Sequence, residues 1–285
     1  MKVFITGVTG YLGRSISAYL LAEGYRIAGS SRRTVTMPGV EMFHAALGDR
    51  IEPAIFKGCD ALIHAAHDFE AGAMNKNIEG TRAIRDAAAK AEVRQQLFLT
   101  SYSARPDAES EYGRTKHHLE RFFSDADSVI LRLGLVIGNG GLFARQRAML
   151  LRSPVVPVIG AGNYPVAVAA ISHVVAAAEV ILRTRAGGQR NLFYDPLPTM
   201  REFVQEIKRH AGQRPFVVPV GARFAVAAVN LAKSVGLPIP VDPEQIRALQ
   251  LNENSHWRSD LPDLLTERSA EFRLSYALDQ LKTGQ

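Results

Sequence analysis

The stretch "KVFITGVTGYLGRSISAYLLAEG", residues 2–24, decides the fold. Its opening run, residues 2–6, is apolar and partly β-branched, the composition of a short buried strand. Gly7, Gly10 and Gly13 follow at even spacing, and Leu12, Ile16, Tyr19 and Leu20 then recur at helical spacing. Gly24 supplies the stop that a glycine commonly gives at a helix C-terminus. "YRIAGSSRR", residues 25–33, resumes as a strand. Strand, glycine loop, helix and strand in that order open a doubly wound parallel α/β sheet.

The loop also carries a chemical reading. Gly7 permits a tight turn, Gly10 lets the backbone approach a pyrophosphate, and Gly13 lets the helix pack close to the strand. The N–H groups at the helix N-terminus then face phosphate oxygens. With a strand before it and a helix after it, the pattern reads as a dinucleotide site. The end of the second strand selects the cofactor. Ser30, Ser31, Arg32 and Arg33 stand there, with no acid to hold a ribose 2′-OH. A guanidinium forks onto a phosphate dianion, whereas a carboxylate repels it. NADP is therefore preferred over NAD, with Arg32 the first choice for the 2′-phosphate, Arg33 the second and Ser31 a further donor. The bland alternative is a solvated arginine pair on a loop.

"TGVTGYLG", residues 6–13, resembles the T-G-x-x-G-x-x-G of the short-chain dehydrogenase/reductase superfamily, whose extended branch holds the nucleotide-sugar epimerases, dehydratases and related reductases. "NIEGT" at 77–81 resembles that branch's N-x-x-G-T, and "YGRTK" at 112–116 its Y-x-x-x-K. Arg132, Val136 and Gly138 match an R-x-x-x-V-x-G segment. "AISHVVAAAEVIL", 170–182, is similar to the D-V-A-x-A helix, with His173 where Asp is usual. The resemblance covers residues 1–140 well and the rest loosely. It implies a Rossmann domain over 1–150, to which 165–195 return, and a smaller, mostly helical substrate domain over 196–285. The cofactor cradle is then Gly7, Thr9, Gly10, Tyr11, Leu12 and Gly13. Asp49 becomes an adenine acceptor, although "LGDR" suits a turn or N-cap equally. Ala65 and Ala66 leave room beside the cofactor, and Asn77 lies near the active site unless it is an ordinary capping asparagine.

The catalytic expectation rests on Tyr112 and Lys116, which share one helix face with Leu119 and Phe123. His117, Glu120 and Arg121 take the other side. "LFLT" is read as the strand before them, ending in Thr100, Ser101 and Ser103. Doubly wound sheets place chemistry at such strand ends. The resemblance implies a hydroxyl here that meets the substrate oxygen; Ser101 is preferred to Ser103. A nearby ammonium and a positive nicotinamide favour the phenolate, so Tyr112 would act as acid or base, Lys116 would hold the ribose, and the serine would orient a carbonyl. "SVILRLGLVIGNGG", 128–141, is read as one strand. Thr199 is read as a helix N-cap, and Arg145, Arg147 and Arg152 as an anion-binding set or a solvated helix face.

Composition excludes other classes. The chain has 285 residues, 47% hydrophobic and 22% charged, which suits a globular protein with a full core. One cysteine, Cys59, forbids an internal disulfide and fits the cytoplasm. No secretory signal or membrane span is expected, and 223–236 reads as an amphipathic core helix. The net charge of +6 is scattered rather than blocked, so a small-molecule substrate is expected rather than nucleic acid. His64 and His67 lack the partners of a metal site. A homodimer is kept as an expectation. The function expected is an NADP-dependent oxidoreductase or epimerase acting on a nucleotide sugar or small carbonyl compound. The alternative is a cofactor-sensing regulator on the same fold.

Overall fold

The computed structural model describes residues 1–221 and 258–282. In chain order the main elements are β1 (Lys2–Thr6), α1 (Tyr11–Ala22), β2 (Arg26–Ser31), β3 (Val40–His44), β4 (Ala61–His64), α2 (Met74–Lys90), β5 (Gln95–Ser101), α3 (Glu111–Glu120), β6 (Ser128–Leu133), β7 (Leu135–Ile137), α4 (Gly141–Arg152), β8 (Val156–Ile159), β9 (Val168–Ala170), α5 (Ile171–Thr184), β10 (Gly188–Leu192), α6 (Met200–His210) and β11 (Val217–Val220). Seven strands form one parallel sheet in the order β10-β6-β5-β4-β1-β2-β3.

The sheet is covered on both faces, so its inner strands carry near-continuous apolar runs. Alternation sorts the side chains. Val3 and Ile5 pack with Ile16 and Leu20 of α1 and with Ala177, Ala178 and Ile181 of α5. Phe4 points the other way, toward Ile84, Ala87 and Ala88 of α2. Phe98 of β5 meets Leu119 and Phe123 beyond it. The strand order reverses between β1 and β4, and that switch point opens a crevice at the strands' C-terminal ends.

Two expectations need correction. Residues 128–141 are not one strand. The backbone breaks at Gly134; β6 stays in the main sheet and β7 pairs with β9 in a separate two-stranded sheet. A Cβ at Gly134 would stand 2.5 Å from the Ala167 carbonyl oxygen, so a distant backbone crosses there. Nor is Glu120 on a wet face. It is buried and takes Arg132 of β6 in a two-pronged pair, Nε to Oε1 at 2.8 Å and a second guanidinium bond to Oε2.

β11 pairs with β8, and α6 begins with a capping box between Thr199 and Glu202. Residues 258–282 return to the main body: Asn191 N–H donates to Asp260 Oδ2 at 2.7 Å, and His173 bridges the Tyr194 hydroxyl (3.0 Å) and Glu271 (2.9 Å). His173 is thus bonded at both nitrogens where the resembled family has an acid. The expected helix at 223–236 lies outside the described residues. No helix among the described residues is long and apolar enough to cross a membrane.

Candidate active site

The glycine loop fits a dinucleotide. Gly7 leaves β1 with φ +63°, and a Cβ on it would meet Ala66 Cα at 2.9 Å. A Cβ on Gly13 would meet the Gly7 carbonyl at 2.4 Å, so only glycine lets α1 start this close. Gly10, the N-cap of α1, bears no side-chain cap, and beyond the Gly7 carbonyl at 3.1 Å a Cβ on it would meet nothing. The open backbone and helix N-terminus form an anion cradle. Ala65 and Ala66 border it, both N–H groups donating to Thr6 Oγ1 at 3.2 Å.

At the end of β2, Ser31 Oγ accepts from Thr9 Oγ1 (3.3 Å) and from the Arg33 N–H (3.1 Å), while Arg32 and Arg33 stand exposed. Leu12 is half-buried against the main core. Tyr11 turns to the far side of the cradle. Its ring fills the hollow over Gly138, Gly140 and Gly141, and its hydroxyl is hydrogen-bonded to the Gly140 backbone. Asp49 takes the turn geometry, accepting from the Ala46 N–H at 2.7 Å. Asn77 is buried, and its amide clamps the Asp68 backbone: Oδ1 accepts from the Asp68 N–H (2.8 Å) and Nδ2 donates to the Asp68 carbonyl (2.9 Å).

His64 is fully buried and bonded at both nitrogens, to Thr6 (2.7 Å) and Thr81 (2.9 Å). Burial holds its pKa down to about 3. Among the described residues no group of His, Cys, Asp or Glu is arranged for a metal.

Tyr112, Ser101 and Lys116 come together. Ser110 caps α3 by accepting from the Gly113 N–H at 3.1 Å. A Cβ on Gly113 would stand 2.6 Å from the Ser103 carbonyl, so the glycine lets the helix start press onto the serine turn. Ser101 Oγ lies 2.9 Å from Ser103 Oγ, and the Tyr112 hydroxyl is hydrogen-bonded to the Ser101 side chain. Lys116 is buried beneath, donating to the Leu99 carbonyl at 2.9 Å and lying 4.8 Å over Phe98 and 5.9 Å from the Tyr112 ring centroid.

The electrostatics reverse the expected direction for the phenol. Burial pushes Tyr112 up to about 12, against a smaller lowering by Ser101. Burial also pulls Lys116 down to about 7, with Glu120 opposing. A lysine whose hydrogen-bond acceptor is a neutral carbonyl is only partly an ammonium at neutral pH, so it cannot draw the phenol down.

Sequence reasoning missed the company of Tyr112. Phe69 stacks on its ring at 5.7 Å and 20°, and His67 meets it edge-on at 5.1 Å and 88°. The only signal was the i, i+2 spacing of two rings in "HDF" just past β4. Arg145 and Arg152 line a pocket with Ala148, Met149 and Ser153; Arg147 is not part of that lining.

Residues 3–191 match the profile of the NAD dependent epimerase/dehydratase family. The chain belongs to that family. It is similar to the ceramide reductase of Caulobacter vibrioides, 33% identical over 174 residues, covering 55% of this chain. The match spans about half of that relative, 53%. It also resembles a 4-hydroxy-2-methyl-3-oxo-4-farnesyl-3,4-dihydroquinoline-1-oxide ketoreductase from Stigmatella aurantiaca, 24% identical over 82% of this chain and 80% of the relative. The fold matches that of the human epimerase family protein SDR39U1 (isoform 2), solved with NADPH, at TM-score 0.68 and 18% identity, over 100% of both chains.

Proposed function

We propose that the chain is an NADPH-dependent carbonyl reductase in which Tyr112 donates the proton to the substrate oxygen. The observation that carries this reading is the Tyr112–Ser101 hydrogen bond at the end of β5, above the buried Lys116. The nicotinamide, when bound, supplies the hydride. Ser101 holds the carbonyl oxygen beside the phenol, with Ser103 behind it at 2.9 Å fixing the hydroxyl's orientation. Lys116 turns from the Leu99 carbonyl toward the cofactor ribose hydroxyls. Gly7, Gly10 and Gly13 cradle the pyrophosphate, and Arg32 pairs with the 2′-phosphate, supported by Arg33.

Reduction draws on Tyr112 in its protonated form. A phenol pushed to about 12 stays protonated at neutral pH and is loaded as an acid, not as a base. The two curated relatives described above, by name a ceramide reductase and a ketoreductase, support the same direction. The test is NADPH oxidation with a panel of carbonyl compounds. Tyr112→Phe should cut kcat/KM by about 10²–10⁴-fold while NADPH affinity holds. Unchanged turnover in Tyr112→Phe would remove the tyrosine from the chemistry; NADPH binding with no carbonyl reduced by the wild type would favour the sensing alternative.

A further inference from the structure

Phe69 is 79% exposed, the most exposed large apolar side chain among the described residues. Nothing about its loop suggests a slack segment. Asp68 is clamped by Asn77 at both its N–H and its carbonyl. The Asp68 carboxylate takes Lys76 Nζ at 2.6 Å and the Glu70 N–H at 3.0 Å. The Gly72 N–H reaches Glu111 Oε2 at 3.3 Å, tying the loop to the residue before Tyr112. The ring is therefore held in water by bonds on either side of it. One of its faces lies against Tyr112 at 5.7 Å and 20°, and His67 meets it edge-on at 4.8 Å. An aromatic face held out beside the Tyr112 hydroxyl is available to a bound substrate. His67 stands behind this wall, its Nδ1 shielded from water with no hydrogen-bond partner among the described residues. Burial, with Lys116 nearby, holds the His67 ring neutral, its pKa down to about 3.

We propose that Phe69 and His67 form the substrate platform, selecting a carbonyl compound with a long or flat apolar substituent laid along the exposed face of Phe69. The inference rests on the reductase reading and deepens it. His67 braces both rings edge-on from behind.

The experiment measures binding to the NADP⁺-loaded full chain, which cannot reduce a ketone, by calorimetry with 2-undecanone and hydroxyacetone as probes. The wild type should prefer 2-undecanone. Phe69→Ala should weaken 2-undecanone about tenfold, or about 1.4 kcal/mol, while Phe69→Leu keeps most of the affinity and NADPH affinity is constant in all three. Equal affinity of the wild type for both probes, or an unaltered 2-undecanone affinity in Phe69→Ala, overturns the platform. Reduction followed separately keeps the two readings apart. Phe69-dependent binding without turnover sinks the reductase reading and leaves the platform. Turnover of both ketones with no dependence on Phe69 does the reverse.

Discussion

Replacing Lys116 by methionine should stabilise the protein and disable it. Lys116 is buried, and its amine donates to the neutral Leu99 carbonyl. Burial lowers its pKa from 10.5 to about 7. Between those values the unfolded chain holds a proton that the folded chain has shed, so stability rises with pH across that interval. The penalty is full and flat below the folded value of about 7, shrinks as pH climbs, and vanishes near the unfolded value of 10.5. At about 1.4 kcal/mol per pH unit, it is on the order of 4 kcal/mol at neutral pH. Methionine fills similar space but leaves the Leu99 carbonyl without its donor, which costs about 1 kcal/mol. The net gain is then about 3 kcal/mol, or roughly 6–12 °C in Tm.

Urea unfolding of the cofactor-free wild type and Lys116→Met, in half-unit steps from about pH 6 to 9, reads this directly. The stability gap should be constant below pH 7 and narrow by about 1.4 kcal/mol per unit above it. Groups such as the Cys59 thiol, which burial pushes up, are common to both proteins and cancel in the difference. A gap independent of pH, or a less stable methionine variant, would refute the reasoning. The same variant should lose NADPH affinity and turnover. A side chain that costs stability where it stands, and whose removal costs function, is retained for chemistry.

Two further outcomes are expected. Arg32→Ala should weaken NADPH by about tenfold or more with little effect on NADH, as losing a charge-assisted phosphate contact requires; equal loss for both cofactors would remove the 2′-phosphate role. Gly138→Ala should cost about 1–3 kcal/mol by overpacking, because its Cβ would fall 1.7 Å from the Tyr11 hydroxyl oxygen. In a Tyr11→Phe background the next ring atom is 3.0 Å away, so most of that loss should return in thermal melts; strictly additive losses would show that the two sites do not touch.

The start of the chain was readable because its constraints are local. Gly13 answers to the Gly7 carbonyl and Gly7 to its own positive φ, both within one strand–loop–helix unit. Gly134 answers to Ala167, which no local pattern reveals. The apolar run through it therefore looked like one strand and folds as two. Glu120 failed for another reason. It lies four residues after Lys116, on the inward stripe that the periodicity itself defines, but its charge argued for water. Only the position of Arg132 on β6 makes a buried carboxylate tolerable there.

The proposed catalytic pair divides along the same line. The spacing of Tyr112 and Lys116 sets their common face, and Ser101 meets Tyr112 because β5 ends where α3 begins. Their ionisation depends on how much water the fold removes, which spacing does not encode. Both groups are driven toward their neutral forms, and a neutral phenol is a proton donor. Phe69 poses the harder case. In the sequence it is the same letter as Phe4 or Phe98, which are wholly buried in the core. What separates it is the clamp of Asn77 on Asp68 and the tether of Gly72 to Glu111, contacts that span 9 and 39 residues. The proposed substrate wall, built from a braced loop, is therefore readable only once the loop's bonds are known, whereas the proposed phosphate cradle, built from backbone, is readable from its glycines.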